Sequence, residues 1–203
     1  MRLCIFVFLA HTLLLPATGG VVWGLIGGLG IGLPVVLHSE NEKMKQEVGI
    51  PVLRGEKTIA LAVSEPTAGS DVANLKTTAI EDGDFYVVNG MKKWITCGTF
   101  ADYFTTAVRT GGEGSGLLGI EMLLIERTRE GVNTRAMDCM GVKGSGTAFV
   151  TFDNVRVPKA NLLGGVQMVL QNFVTERFGL AVQVCTCKEN IHPSMFHRLL
   201  FFS

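Results

Sequence analysis

Hydrophobic positions divide the chain into segments with different periodicities. From residue 3 to residue 39 there is no Asp, Glu, Lys or Arg, which favours buried helix or membrane contact. From residue 58 to residue 164, short apolar runs are bounded by Gly, Asp, Asn or Pro, the pattern of successive β-strands. Residues 165–183 return to helical spacing, with apolar side chains at Val169, Leu170, Phe173 and Leu180. Residues 184–203 show no consistent period, so we interpret them as an aberrant tail.

The apolar N-terminal stretch supports two pairs of interpretations. In residues 1–18, Arg2 precedes an apolar run that ends at Pro16 and small residues, which is typical of a secretory signal. The alternative is a buried helix. Residues 19–38 are uncharged and close to the length of a membrane span, yet unusually rich in glycine. Such glycines allow close helix contacts in a membrane, or close packing of a soluble helix against a ligand or a neighbour.

The β section predicts seven or eight short strands arranged as a barrel or sandwich. Asn89-Gly90 stands between two apolar runs and predicts a hairpin turn there. No glycine-rich phosphate-binding motif opens a helix after a strand. The glycine-rich run Gly111–Gly116 is interpreted as a loop, because no helix follows it.

Composition narrows the classes of function. The 203 residues include 18 basic and 18 acidic side chains, so no net charge favours nucleic acid as a partner. The five cysteines are odd in number and form no CxxC pair, and the four histidines lack metal-ligand spacing. We therefore predict no metal site and reduced thiols that pack as small apolar side chains.

Four motifs carry the chemistry. They are AVSEPTAGSD at 62–71, DGDFYVVNG at 82–90, KKWITCGTFADY at 92–103 and FDNVRVPKANLLG at 152–164. In this order and spacing they resemble the middle domain of the acyl-CoA dehydrogenases. The resemblance implies an α+β fold, with a mainly antiparallel β-barrel middle domain at 58–164 flanked by partial helical segments. Residues 19–57 would be the end of an N-terminal helical domain, and residues 165–183 the first helix of a truncated C-terminal one.

The residue types agree with a flavin site. An isoalloxazine ring needs an aromatic wall and hydrogen-bond donors along its polar edge. Trp94 can form the wall, and Thr96 lies on the same side of a regular strand. Ser64 keeps a hydroxyl where the family has threonine, and Gly69 allows close approach of the backbone. The resemblance therefore implies FAD contacts at Leu61, Val63, Ser64, Gly69, Ser70, Trp94, Ile95, Thr96 and Arg177, with Ser70 also contacting the acyl-CoA substrate.

The implied activity is FAD-dependent α,β-dehydrogenation of an acyl-CoA thioester, an oxidoreductase reaction of fatty acid metabolism. The implied partners are an electron-accepting flavoprotein or oxygen, and further copies of the chain in a homo-oligomer. The family's usual catalytic base is a glutamate in the C-terminal bundle, and no residue here matches it. We assign no catalytic residue: Glu65 is interpreted as structural, and nothing in the sequence places Glu176 at the substrate.

Two functions stay open at this point. The first is an acyl-CoA dehydrogenase, in a truncated form. The second is a non-catalytic, truncated relative that binds acyl-CoA or a partner chain and is anchored to a membrane through its N-terminus. The resemblance implies a mitochondrial or peroxisomal matrix or the cytoplasm, whereas the signal-like residues 1–18 favour a secretory or membrane location.

Overall fold

The computed structural model describes residues 20–112 and 114–190. The signal-like segment at 1–18 and the part of the predicted tail after Asn190 lie outside this range. The described residues form a mixed α+β structure in which one eight-stranded sheet is flanked by helices at both ends of the sequence. The predicted fold class is thereby confirmed.

The glycine-rich segment is helical and packs directly on the sheet. Helix α1 (Val21–Leu25), a π-helix (Ile26–Gly32) and helix α2 (Leu33–His38) follow one another without interruption. Pro34 follows the π-helix within this continuous run, where it cannot donate a backbone hydrogen bond. Within residues 20–112 and 114–190, no helix combines the length and apolarity that a membrane span requires.

A second helical segment leads into the sheet. Helix α3 (Glu42–Met44), a π-helix (Lys45–Gly49) and helix α4 (Ile50–Leu53) follow one another in the same way. Asn41 caps α3, since its side-chain oxygen accepts the amide of Met44 at 3.0 Å. This cap starts the segment where the charged residues begin.

Eight strands form the sheet, mostly in antiparallel pairs. They are β1 (Ile59–Ala62), β2 (Thr78–Asp82), β3 (Phe85–Ile95), β4 (Tyr103–Arg109), β5 (Ile120–Glu126), β6 (Val132–Ala136), β7 (Ala148–Pro158) and β8 (Leu162–Gly165). Their spatial order is β6-β7-β3-β2-β4-β5-β8, and β1 pairs in parallel with β4.

The hairpin predicted at Asn89-Gly90 is wrong, because β3 runs straight through both residues. The hairpin turn lies instead between Asp82 and Phe85, which pair at the ends of β2 and β3. Gly90 has φ 146°, and a Cβ there would lie 2.6 Å from the Cα of Thr77. Asn89 accepts the backbone amide of Asn154 at 2.8 Å, where β7 carries a bulge. Asn89-Gly90 therefore allows neighbouring backbone segments to lie close to β3 and does not form a turn.

The C-terminal helix is longer than its apolar periodicity indicates. Helix α5 runs from Val166 to Asn190, whereas the sequence analysis ended it at residue 183. Residues 184–190 contain neither proline nor glycine, so nothing local breaks the backbone hydrogen bonds. The helix therefore continues past the point where apolar spacing stops, although Val, Cys, Thr and Asn are weak helix formers.

Two apolar clusters lie on opposite faces of the central strands. One contains Phe104, Ile125, Val150 and Val157, and the other joins the helices to the sheet through Leu33, Ile59, Met122 and Val169. Strands β4 and β5 contribute alternate residues to both clusters, which explains why their sequences are almost continuously apolar. The second cluster seats α2 and α5 against the sheet.

Candidate functional site

A pocket of about 200 Å³ forms where the π-helix at 26–32, the end of β1, the end of β3 and helix α5 meet. The residues that line it are Gly27, Ile31, Leu61, Val63, Ser64, Gly69, Trp94, Ile95, Thr96, Phe173 and Glu176. Seven of these were predicted from the sequence as flavin contacts, so the structure gathers residues of the loop after β1 and the end of β3 around one cavity.

Two predicted contacts lie outside the lining of this pocket. Ser70 and Arg177 are both exposed, although each directly follows a lining residue in the sequence, Gly69 and Glu176. The resemblance implied that Arg177 contacts FAD, and its side chain is exposed to solvent. Both assignments stay predictions.

Trp94 owes its orientation to a β-bulge. Lys92 pairs with Val150 and Ile95 with Ala148, so two residues of β3 lie opposite one residue of β7. Trp94 takes φ 65°, a left-handed conformation that bulky residues rarely adopt. The bulge turns the Lys92 side chain inward and leaves Trp94 56% exposed at the pocket. The ammonium of Lys93 lies 4.8 Å from the centre of the indole ring.

Two hydroxyl groups at the pocket are available to a ligand. Ser64 and Thr96 are half-buried, and neither hydroxyl hydrogen-bonds to any part of the protein that the structure describes. Thr96 is held against the glycine-rich helix, since a Cβ on Gly27 would lie only 2.8 Å from its methyl group. The next residue, Cys97, secures this contact by donating its thiol to the carbonyl of Gly24 at 2.8 Å.

An ion pair lies buried behind the pocket. The ammonium of Lys92 is 2.8 Å from the Glu65 carboxylate, and the two side chains are 0% and 2% exposed. Burial lowers the pKa of Lys92 to about 8, although the Glu65 carboxylate opposes this shift. Burial by itself would raise the pKa of Glu65, but the Lys92 ammonium and hydrogen bonds from residues 76 and 77 hold it below its usual range. Glu65 does not line the pocket, in keeping with the structural role expected of it.

Glu176 is the carboxylate among the lining residues, and the sequence analysis did not place it at the site. Burial raises the pKa of its carboxyl group, while the neighbouring Arg177 lowers it. The signal was present in the sequence: Val169, Phe173 and Glu176 share one face of a helix, and the first two are apolar. Gly27, Ile31 and Phe173 were missed as well, because nothing local connects them to the motifs.

Comparison with known proteins assigns the family. The model of the acyl-CoA dehydrogenase middle domain matches residues 60–155, from β1 into β7. The chain belongs to the acyl-CoA dehydrogenase family. The match includes Ser64, Trp94 and Thr96, whereas Glu176 lies on α5 beyond it.

Curated relatives extend the similarity beyond the middle domain. An acyl-CoA dehydrogenase of Alternaria alternata is 43% identical over 166 residues, which are 80% of this chain and 38% of the relative. The mitochondrial isovaleryl-CoA dehydrogenase of Pongo abelii is 34% identical, over 86% of this chain and 44% of the relative. The chain thus spans less than half the length of these relatives.

Solved structures show the same arrangement. Butyryl-CoA dehydrogenase from Megasphaera elsdenii superimposes with a TM-score of 0.82 at 27% identity, over 90% of this chain and 49% of that one. A probable acyl-CoA dehydrogenase from Mycobacterium abscessus gives a TM-score of 0.76 at 42% identity, over 81% of this chain and 45% of that one. The similarity to butyryl-CoA dehydrogenase therefore includes helices on both sides of the sheet region in the sequence.

Proposed function

We propose that the pocket holds the isoalloxazine ring of FAD and that this chain provides that part of an acyl-CoA dehydrogenase, which oxidises an acyl-CoA thioester between its α and β carbons. The observation that carries the proposal is the pocket itself, where the loop after β1 and the bulged end of β3 bring Ser64, Trp94 and Thr96 together.

The residues present fit a flavin ring. A pocket of about 200 Å³ is smaller than the ~300–1,000 Å³ of typical ligand sites, so it suits one ring system rather than a whole dinucleotide. The indole of Trp94 offers an aromatic contact, and the hydroxyls of Ser64 and Thr96 offer donors that have no hydrogen-bond partner among the described residues. Gly69 leaves open space beside the loop, because a Cβ there would meet no atom within 4 Å.

FAD, when bound, would accept a hydride from the β-carbon of the thioester. The protein's own contribution is positioning and proton transfer. Ser64 and Thr96 would donate hydrogen bonds to the edge of the ring, and Phe173 would exclude water from it. Glu176 would accept the α-proton, since it is the carboxylate in the pocket and burial makes it a stronger base than an exposed glutamate. This step gives Glu176 a role that the sequence alone did not support.

The wider assembly is part of the same proposal. Acyl-CoA would be the substrate, with Ser70 and Arg177 on the exposed rim of the pocket contacting phosphate groups. A second flavoprotein or oxygen would reoxidise the cofactor. Because the chain spans less than half of its relatives, we propose that a homo-oligomer or a longer protein completes the site.

The direct test is to purify the chain, add FAD and remove unbound cofactor by gel filtration. We expect flavin absorbance to elute with the protein, and a Trp94→Ala variant to lose at least about tenfold in affinity. A colourless protein that is folded by circular dichroism would contradict the cofactor assignment. Bound flavin without bleaching by a series of acyl-CoA thioesters would favour the non-catalytic binding protein instead.

A further inference from the structure

The buried pair Lys92–Glu65 is not explained by stability alone. Both side chains are almost completely removed from solvent, and neither lines the pocket. Taking two charges out of water is costly, and a well-packed apolar pair of similar volume is often at least as stable. A lysine and a glutamate at these positions therefore call for a role that apolar side chains could not fill.

The contacts of Lys92 suggest that role. Its ammonium donates to the carbonyl of Val63 at 3.0 Å as well as to Glu65, and the backbone amide of Lys93 donates to the carbonyl of Ser64 at 2.9 Å. Three consecutive residues of the loop after β1 are thus tied to β3 immediately before Trp94. Val63 and Ser64 line the pocket from this loop, and Trp94 lines it from the end of β3.

Glu65 extends the connection to β2. Its carboxylate accepts the amide of Thr77 at 3.0 Å and that of Lys76 at 2.5 Å. Its own backbone closes a short turn, with the amide of Glu65 donating to the carbonyl of Ala68 at 2.8 Å. The length of one side chain therefore fixes where the loop lies relative to both strands.

Resting on the proposed function, we propose that Lys92–Glu65 is a positioning pair, which sets where the lining residues Val63 and Ser64 lie relative to the end of β3 at 94–96 and so the affinity for the flavin ring. The pair acts through the length of its side chains, which fixes the distance between the loop and β3. A pair that served stability alone would change flavin affinity only in proportion to the stability lost.

Two variants of Glu65 separate the effect of side-chain length from the effect of charge. Glu65→Asp keeps the carboxylate and shortens it by one methylene, whereas Glu65→Gln keeps the length and removes the charge. Ile125→Val, in the apolar cluster that contains Phe104 and Val150, shows how a simple loss of stability affects FAD binding. The measurements are the thermal midpoint of the apoprotein by circular dichroism and the dissociation constant for FAD by fluorescence titration.

We expect the two variants to rank in opposite order in the two measurements. Glu65→Gln should lower the thermal midpoint more, because it leaves the ammonium buried without a counter-ion. Glu65→Asp should weaken FAD binding more, by about tenfold, because it displaces one side of the pocket. If the loss of affinity follows the loss of thermal midpoint across all three variants, the pair is structural and the proposal fails.

The apoprotein provides a measurement that does not depend on the proposed function. In a Trp23→Phe background Trp94 is the single tryptophan, so acrylamide quenching reports its exposure. We expect Glu65→Asp to change the quenching constant and Ile125→Val to leave it unchanged. If wild-type protein binds no FAD, the proposed function fails while this measurement still decides the positioning role. Equal quenching in all variants would overturn that role.

Discussion

The ammonium of Lys92 lies 2.8 Å from the carboxylate of Glu65, and this contact joins the motif at 62–71 to the motif at 92–103. Glu65 belongs to the loop after β1, and Lys92 precedes Trp94 on β3. The pair lies behind the pocket, where Lys92 also donates to the carbonyl of Val63.

Acid should weaken the fold through Glu65. The pKa of this carboxyl is below its unfolded value near 4.5, so the folded state binds the proton less readily than the unfolded state does. Its contribution to stability is complete above that value and is lost as the pH falls through the folded pKa. We expect the free energy of unfolding to fall less between pH 7 and pH 3 in the double variant Glu65→Gln/Lys92→Met, which removes both charges, than in wild type, measured by urea denaturation. An equal fall of the free energy of unfolding in wild type and variant would contradict this prediction.

Gly27 should be required for the shape of the pocket. An alanine Cβ at this position would lie 2.8 Å from the Thr96 methyl group, so Gly27→Ala should displace Thr96 and cost about 1–3 kcal/mol. Gly112→Ala is the matched control outside this pocket, because its Cβ meets nothing within 4 Å. Thermal unfolding and FAD titration of the two variants should separate them. Equal losses of stability and FAD affinity in the two variants would show that the contact between Gly27 and Thr96 does not determine the shape of the pocket.

We expect Trp94 to contribute to FAD binding but not to the stability of the fold. Its left-handed backbone, φ 65°, costs about 1–2 kcal/mol for a residue of this size, whereas asparagine tolerates that conformation. Because the indole is more than half exposed, Trp94→Asn should unfold no more easily than wild type while it loses FAD affinity. Chemical denaturation and flavin titration test both halves. A clear destabilisation would mean that the indole contributes packing that outweighs the backbone strain.

Glu176 should affect chemistry rather than cofactor binding. Glu176→Gln keeps the size of the side chain but cannot accept the α-proton, so turnover of an acyl-CoA should fall by at least about 100-fold with little change in FAD affinity. Gln167→Ala, at an exposed position on the same helix, is the control and should change neither quantity. The measurement applies to FAD-loaded protein that reduces its flavin with substrate. Unchanged flavin reduction in Glu176→Gln would remove Glu176 from the mechanism.

Local sequence patterns predicted much of this structure, and their failures have identifiable causes. Alternating apolar residues and turn residues located the strands, because side-chain direction along a strand depends only on adjacent residues. The Asn89-Gly90 signal predicted a hairpin, yet the approach of Thr77 and the bulge at Asn154 keep β3 continuous. Apolar periodicity predicted an end of α5 at residue 183, whereas the helix runs to Asn190, because no proline or glycine interrupts its backbone hydrogen bonds.

The sequence by itself determined the strands, the motifs and the family resemblance, because these depend on residues that are close together along the chain. Tertiary structure decided that Gly27 and Glu176 join Ser64 and Trp94 at one pocket, since those four come from separate elements. It also decided that Lys92 is buried while Trp94 is exposed, although the two share a face in a regular strand. A bulge opposite β7 reverses that relationship, and only strand pairing can produce a bulge.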